Sequence, residues 1–332
     1  MRQSLPDICV AGGGSWGTAL AQQLASCGLG VTLWLRNEAA ARAINEEHRN
    51  PRYVSSHVLH PALKATTDPA ALGAALVVLA VPCQQLRGWL TAHKAYFCAG
   101  PVFVDASKGL EVGTLASPGR MVAETVGADA RYAVLSGPSF ADEVLRGLPT
   151  AVVLACADET LGARLRDAFS GPNFRCYSST DVIGVELGGA LKNVIAIAAG
   201  MCDGLGFGHN SRAALIARGL AEISRIGVAC GARPSTFMGL SGLGDLTLTC
   251  TGDLSRNRQV GLRLGRGERL KDITEQLGMV AEGVATADAA CMLAARLGVD
   301  APIAAAVRAI VREGHDPADE VRRLMARELR EE

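Results

Sequence analysis

Aromatic side chains make up only 4% of the 332 residues, so the cores must be built from Ala, Leu and Val. A charge surplus is also missing, because 33 basic and 33 acidic side chains cancel. Nucleic-acid binders normally carry a basic excess on their domain, so that class is not expected, while a single local anion pocket remains open. The ten cysteines include no Cys-x-x-Cys pair. Most lie in apolar runs, such as Cys9 between Ile8 and Val10 or Cys156 between Ala155 and Ala157, which reads as buried free thiols in a reducing compartment. The six histidines are scattered, and His57 and His60 lack a third ligand nearby, so no structural metal is expected. The N-terminus lacks a basic segment leading into an apolar run and a cleavage site. No uninterrupted apolar run reaches the ~18 residues of a membrane span. These absences together predict a cytoplasmic protein with no membrane span.

What is present is the balance of a soluble globular chain, 49% hydrophobic and 20% charged, long enough for two domains. Short β-rich runs at residues 7–11, 31–36, 75–81, 101–106, 132–136 and 149–155 alternate with helical stretches at 15–26, 38–48 and 159–169. Continuous apolar runs such as 75–81 suit strands buried on both faces, and strands alternating with helices imply a parallel sheet covered on both sides. The pattern changes around 174–179. Beyond 181 there are helical stretches and glycine-rich turns, with apolar helices expected at 182–199, 211–230 and 284–297 and a charged surface helix at 316–332. The boundary is expected near 178–182, giving domains 1–180 and 181–332.

Gly12, Gly14 and Gly17 match the G-x-G-x-x-G dinucleotide fingerprint. With 38 glycines in the chain, roughly half a match arises by chance, so the motif means little without its setting. Here it follows an expected strand and opens an expected helix. Gly12 then permits the tight turn, Gly14 lets backbone amides approach a pyrophosphate, and Gly17 lets the helix pack close to the sheet. The helix start supplies unpaired N–H groups for the anion. The expected class is therefore α/β: an N-terminal Rossmann-like parallel-sheet domain followed by an all-α C-terminal domain. At the end of the second strand stands Arg36, the wrong sign for a ribose diol and the right sign for a 2′-phosphate, so NADP is favoured over NAD. Glu38, two residues on, could still serve NAD.

Lys192 sits in a stretch, 185–199, that is almost wholly apolar. Burying an ammonium without a partner is costly, so the position suggests a paired or catalytic lysine. Further polar groups stand at glycine turns: Ser107-Lys108-Gly109, Gly242-Leu243-Gly244-Asp245 and Ser255-Arg256-Asn257. In combination, GGGSWGTALA (12–21), SKGL (107–110), SGPSF (136–140), ELGGALKNVIA (186–196), LSGLGDLTLTC (240–250), SRN (255–257) and VAEG (280–283) resemble the bacterial NAD(P)-dependent glycerol-3-phosphate dehydrogenases. The resemblance runs almost end to end, and LGGALKNV, GLGDL and SRN in this order are its most specific parts.

That family interconverts dihydroxyacetone phosphate and sn-glycerol 3-phosphate, so the resemblance implies an oxidoreductase supplying glycerol 3-phosphate for phospholipid synthesis. It implies Lys192 as proton acceptor and Lys108 between cofactor and substrate. Gly137, Ser139, Asp245, Ser255, Arg256 and Asn257 would line the substrate site with the two lysines. Ser15, Trp16, Arg36, Tyr53, Lys108, Ala141, Arg256, Val280 and Glu282 would contact the cofactor. The residue types suit the chemistry. A lysine amine takes an alcohol proton only if its pKa falls well below ~10.4, and an apolar surrounding plus a second cation both lower it. Asp245 could orient Lys192, Asn193 could steady the carbonyl oxygen, and Arg256 with Asn257 offers a planar fork and an amide to a phosphate. Ser255 doubles as a helix cap. A dehydrogenase for a 3-hydroxy acid or sugar acid, and a dinucleotide-binding redox sensor without turnover, are the alternatives. Apolar helices in the second half suit a homodimer.

Overall fold

The computed structural model describes residues 7–277 and 281–328. The chain forms two compact units, Met1–Ser107 with Ala116–Val185, and Lys108–Leu115 with Glu186–Glu332. The division falls at Val185/Glu186 rather than at 180/181. It also assigns the stretch from Lys108 to the second unit, although nothing in its local sequence separates it from the strand before it.

The first unit is built on strands β1 (Ile8–Ala11), β2 (Val31–Trp34), β3 (Lys64–Thr66), β4 (Leu76–Leu79), β5 (Val102–Asp105), β6 (Arg131–Ser136), β7 (Thr150–Cys156) and β8 (Phe174–Ser179). They form one sheet in the order β3-β2-β1-β4-β5-β6-β7-β8. Helices α1 (Ser15–Ser26), α2 (Glu38–Glu47), α3 (Cys83–His93), α4 (Pro118–Thr125), α5 (Ala141–Leu145) and α6 (Glu159–Phe169) accompany it. Strand side chains alternate between two buried layers. Ile8, Val10, Leu76, Val78, Val102 and Val104 join one cluster, with Leu20 and Leu24 of α1 and Leu165 of α6. Cys9, Ala11, Val77, Leu79 and Phe103 join the other, with Leu86 and Leu90 of α3. Period-two alternation with both faces covered is why these strands read as unbroken apolar runs.

Three features differ from the sequence expectation. The sheet is parallel except that β6 and β7 run antiparallel. A five-residue helix such as α5 covers about 7.5 Å, against about 20 Å for a six-residue strand, so it cannot carry the chain back along the sheet for a parallel return. β3 is a three-residue edge strand, too short to show a period. β8 alternates buried Phe174 and Cys176 with exposed Arg175 and Tyr177, the half-wet pattern of an edge.

The second unit contains α7 (Val182–Gly204, its first residues in the first unit), α8 (His209–Ala229), α9 (Pro234–Phe237), a π-helical turn Leu240–Gly244, α10 (Asp245–Thr251), α11 (Arg256–Gly265), α12 (Leu270–Leu277), α13 (Glu282–Leu297), α14 (Pro302–Arg308) and α15 (Pro317–Met325). No strand occurs beyond residue 181 among the described residues. α7 is long and apolar enough to cross a membrane by length and composition, against the expectation that no segment is, but 83% of its most apolar window is buried inside the protein. It is the core helix, carrying Leu191, Val194, Ile195 and Ile197 into the central cluster.

Glycines let other backbones reach α7. A Cβ at Gly188 would lie 2.6 Å from the Ser241 carbonyl oxygen, and one at Gly200 would lie 2.0 Å from that of Arg258. On α11, a Cβ at Gly261 would lie 1.9 Å from the Ile197 carbonyl oxygen and one at Gly265 2.5 Å from that of Met201. A Cβ at Gly204, four residues beyond Gly200, would lie 2.3 Å from the Leu262 carbonyl oxygen, so Gly200 and Gly204 of α7 face Gly261 and Gly265 of α11 in a contact no other residue type would allow.

Candidate active site

In the first unit the sheet order reverses between β1 and β4, where open α/β sheets bind ligands outside the carboxyl ends of the strands. The glycine loop lies there. Gly12 adopts φ +121°, and a Cβ on it would stand 2.4 Å from the Ala80 carbonyl oxygen just past β4. A Cβ on Gly17 would stand 1.9 Å from the Gly12 carbonyl oxygen, whereas one on Gly14 would meet nothing within 4 Å. Two glycines therefore close the turn and the third leaves it open. Gly14 caps α1 without a side-chain hydrogen bond, so first-turn N–H groups of α1 face that opening. Such an opening at a helix start suits a pyrophosphate, and the loop fits the dinucleotide that the motif implies. The Trp16 indole Nε1 is buried with no acceptor among the described residues.

Arg36 is exposed just past β2 with no ion pair among the described residues. Asn37 after it caps α2, accepting from the Ala40 N–H at 2.8 Å. Glu38 is drawn into α2, 3.7 Å from Arg42. Tyr53 is exposed, its ring beneath the Arg52 guanidinium, and its carbonyl oxygen accepts from the Ser15 hydroxyl at 3.4 Å. Gly137 takes φ +143°, and a Cβ there would press on Val152 at 2.9 Å, so the glycine is required by the turn itself. The Ser139 hydroxyl donates to the Gly137 carbonyl oxygen at 3.0 Å, and Ala141 opens α5.

Sequence reading missed Asn50. Its 1% exposed side chain donates to the Gly13 carbonyl oxygen and to the Thr18 hydroxyl, both at 2.9 Å. It pins the glycine loop from the segment after α2. Only its position before Pro51 marks it in the sequence, and that signals a turn.

In the second unit, Lys108, Lys192 and Asp245 come together from segments far apart in the chain. Lys192 of α7 is 5% exposed and Asp245, first residue of α10, is 1% exposed. The Lys192 ammonium donates to Asp245 Oδ1 and, at 2.8 Å, to the Thr249 hydroxyl. Lys108 donates to Asp245 Oδ2 at 2.7 Å. Thr249, one helical turn beyond Asp245, donates to the Asp245 carbonyl oxygen at 2.6 Å. It was not foreseen, because a threonine in an apolar helix reads as filler. The glycine contact explains the geometry: Gly188 and Lys192 are four apart on α7, and Ser241 and Asp245 are four apart on the facing segment. The first pair touches through backbone and the second through charge.

Burial pushes the Lys192 ammonium down to about 7, with Asp245 opposing and Lys108 reinforcing the shift. Burial works against the Asp245 carboxylate too, but the ammonium groups of Lys108 and Lys192 outweigh it and hold the carboxyl below its ordinary value. The outcome is a permanent anion beside a lysine poised to gain or lose a proton near neutrality. Asn193 is buried next to Lys192.

Ser255 caps α11, its hydroxyl accepting from the Arg258 N–H at 3.2 Å. Arg256 is exposed at the first position of the helix and holds no ion pair among the described residues. Asn257 Oδ1 accepts from the Gly283 N–H at 3.0 Å, which ties α11 to the start of α13, where Glu282 stands. Val280 lies outside the described residues.

The chain matches the family model described as NAD-dependent glycerol-3-phosphate dehydrogenase N-terminus over residues 7–162, and its C-terminus counterpart over residues 181–322. The chain belongs to this family. It is 64% identical over 327 residues to glycerol-3-phosphate dehydrogenase [NAD(P)+] of Desulfovibrio desulfuricans, covering 98% of each chain. It is 60% identical to the enzyme of that name from Nitratidesulfovibrio vulgaris, covering 98% of this chain and 99% of that one. The crystal structure of glycerol-3-phosphate dehydrogenase from Coxiella burnetii superimposes with a TM-score of 0.93 at 38% identity, over 98% of this chain and 100% of that one. Membership makes the chain an NAD(P)-dependent oxidoreductase, and the fold expected from the sequence is the fold of the family.

Proposed function

We propose that this chain reduces dihydroxyacetone phosphate to sn-glycerol 3-phosphate with NADPH or NADH, reversibly, and that Lys192 gives and takes the proton. The observation that carries the reading is the buried lysine, shifted to about 7 and held by Asp245 and Thr249. The nicotinamide, when bound, supplies the hydride or accepts it. Lys192 supplies the proton: an ammonium has three N–H donors, two are used on Asp245 and Thr249, and the third is left for the carbonyl oxygen of the substrate. In the reverse direction the neutral amine accepts the hydroxyl proton. Asp245 orients the amine, and Lys108, on its other oxygen, adds the positive charge that keeps Lys192 from being protonated too tightly. Asn193 is assigned to steadying the carbonyl oxygen.

Arg256, uncommitted at a helix start, and the free side of the Asn257 amide are assigned to the phosphate, beside Ser255. Gly137 and Ser139 are assigned to the substrate with Lys108. The glycine loop with Ser15 and Trp16 is assigned to the pyrophosphate side of the cofactor, Arg36 to a 2′-phosphate, and Tyr53, Ala141, Lys108, Arg256, Val280 and Glu282 to further cofactor contacts. The product suits phospholipid synthesis in a cytoplasm. Ten cysteines without a disulfide support a reducing compartment, and exposed Met238 and Leu243 support a homodimer, which sedimentation would reveal. The deciding experiment is steady-state turnover of dihydroxyacetone phosphate with each reduced cofactor. Turnover with NADPH ahead of NADH is expected, and no turnover with either overturns the reading.

A further inference from the structure

Arg256 and Arg258 lie two residues apart at the start of α11 and have opposite fates. Arg256 holds no ion pair among the described residues. Arg258 is fully engaged: Nε donates to Asp203 Oδ2 at 2.9 Å, Nη2 lies 2.7 Å from the same oxygen, and Nη1 donates to Asp253 Oδ1 at 2.8 Å. Asp203 also takes Arg212 Nη1 at 3.1 Å on both carboxylate oxygens. The turn into α11 is strapped a second time, by Gln259 Nε2 donating to the Asp253 carbonyl oxygen at 2.7 Å. The Arg258 N–H is the one that Ser255 caps, so one residue is held at backbone and side chain.

Asp203 stands on α7, eleven residues beyond Lys192. Eleven residues are about three turns and about 16 Å, so both side chains leave α7 on nearly the same face. α7 therefore sets the separation between the proton donor and the anchor of α11. The glycine contacts fix how close the two helices come. A carboxylate gripping Arg258 adds a directional tie that opposes sliding or rotation of α11 against α7.

We infer that Asp203 is a positioning residue for phosphate selectivity: through Arg258 it holds the first turn of α11 in register with Lys192, so that Arg256 and Asn257 meet the substrate phosphate. The inference rests on the phosphate role proposed above for Arg256. A misplacement of about 1 Å at a substrate-positioning group costs on the order of a hundredfold in efficiency, which sets the scale to look for.

The experiment compares wild type, Asp203→Asn, Arg258→Lys and Arg256→Gln with dihydroxyacetone phosphate and with unphosphorylated dihydroxyacetone, using NADPH throughout. Competitive inhibition by inorganic phosphate is measured alongside. For Asp203→Asn, KM for dihydroxyacetone phosphate is expected to rise at least about tenfold with kcat within about threefold. The inhibition constant for phosphate should rise by a similar factor, and efficiency with dihydroxyacetone should stay within about twofold. Arg258→Lys, which keeps the charge but loses the fork, should fall between wild type and Asp203→Asn. Equal losses with both substrates, or a fall in kcat alone, mean a general structural role and overturn the inference. Selective loss in Arg256→Gln with none in Asp203→Asn overturns it while sparing the phosphate role of Arg256. Absence of selectivity in Arg256→Gln removes both.

Discussion

At the residue scale the chain concentrates its chemistry in one carboxylate and two amines. A lone buried ammonium would be expelled or neutralised, and a lone buried carboxylate would protonate. Asp245 between Lys108 and Lys192 avoids both, and the shift of Lys192 to about 7 follows from burial that its counter-ion only partly offsets. Lys192→Ala should lower kcat by about 10²–10⁴ while NADPH binding, followed by fluorescence titration, stays within a few-fold. Near-wild-type turnover would remove Lys192 from the proton path. The pH profile should have a definite sign. Reduction needs the protonated amine, so kcat/KM for dihydroxyacetone phosphate should be flat below about 7 and fall about tenfold per unit above it. Oxidation of glycerol 3-phosphate needs the neutral amine and should rise through the same region. Identical profiles in both directions would contradict the assignment. Lys192 stood out in the sequence because charge inside an apolar stretch is conspicuous, and Asp245 because it stands at a glycine turn. Thr249 and Asn50 were not, because short polar side chains in a helix or turn have many uses, and their partners lie 57 and 32 residues away.

At the scale of elements, backbone contacts position these groups. α7 meets the π-helical turn through Gly188 and α11 through Gly200 and Gly261. Gly261→Ala would place a methyl group 1.9 Å from the Ile197 carbonyl oxygen, so the helices must separate. A loss of about 1–3 kcal/mol is expected, seen as a lower urea midpoint at unchanged slope, together with a raised KM for the phosphate substrate. An unchanged midpoint would mean that the two helices already have slack. In the first unit, Arg36→Ala should reduce efficiency with NADPH selectively, and equal reductions with both cofactors would refute a 2′-phosphate contact. Strands buried on both faces were legible from their apolar runs. The edge strands β3 and β8 were not, and neither was the antiparallel β6–β7 pair, because its direction depends on how far α5 can carry the chain.

At the scale of the whole molecule, scarcity of aromatics is met by Ala-rich helices whose backbones touch, and a long apolar stretch becomes an interior helix instead of a membrane span. None of the ten cysteines forms a disulfide, and burial pushes the thiols of Cys9, Cys176 and Cys250 up to about 12. A thiol reagent at pH 8 should therefore label only a minority in the native protein and all ten after denaturation. Full labelling of the native protein would show that these thiols are not shielded as described.

The sequence alone determined the glycine loop and the sheet-then-helix order, and its motifs carried the resemblance that pointed to the family. The first two are local: they follow from periodicity and from glycine at tight turns. Tertiary structure alone decided that Lys108 joins the second unit, that Asp245 reaches Lys192 with Thr249 beneath it, and that Asp203 secures Arg258. Each of these is a contact between segments tens of residues apart. Such contacts depend on which backbones can approach closely, and a linear pattern does not carry that distance.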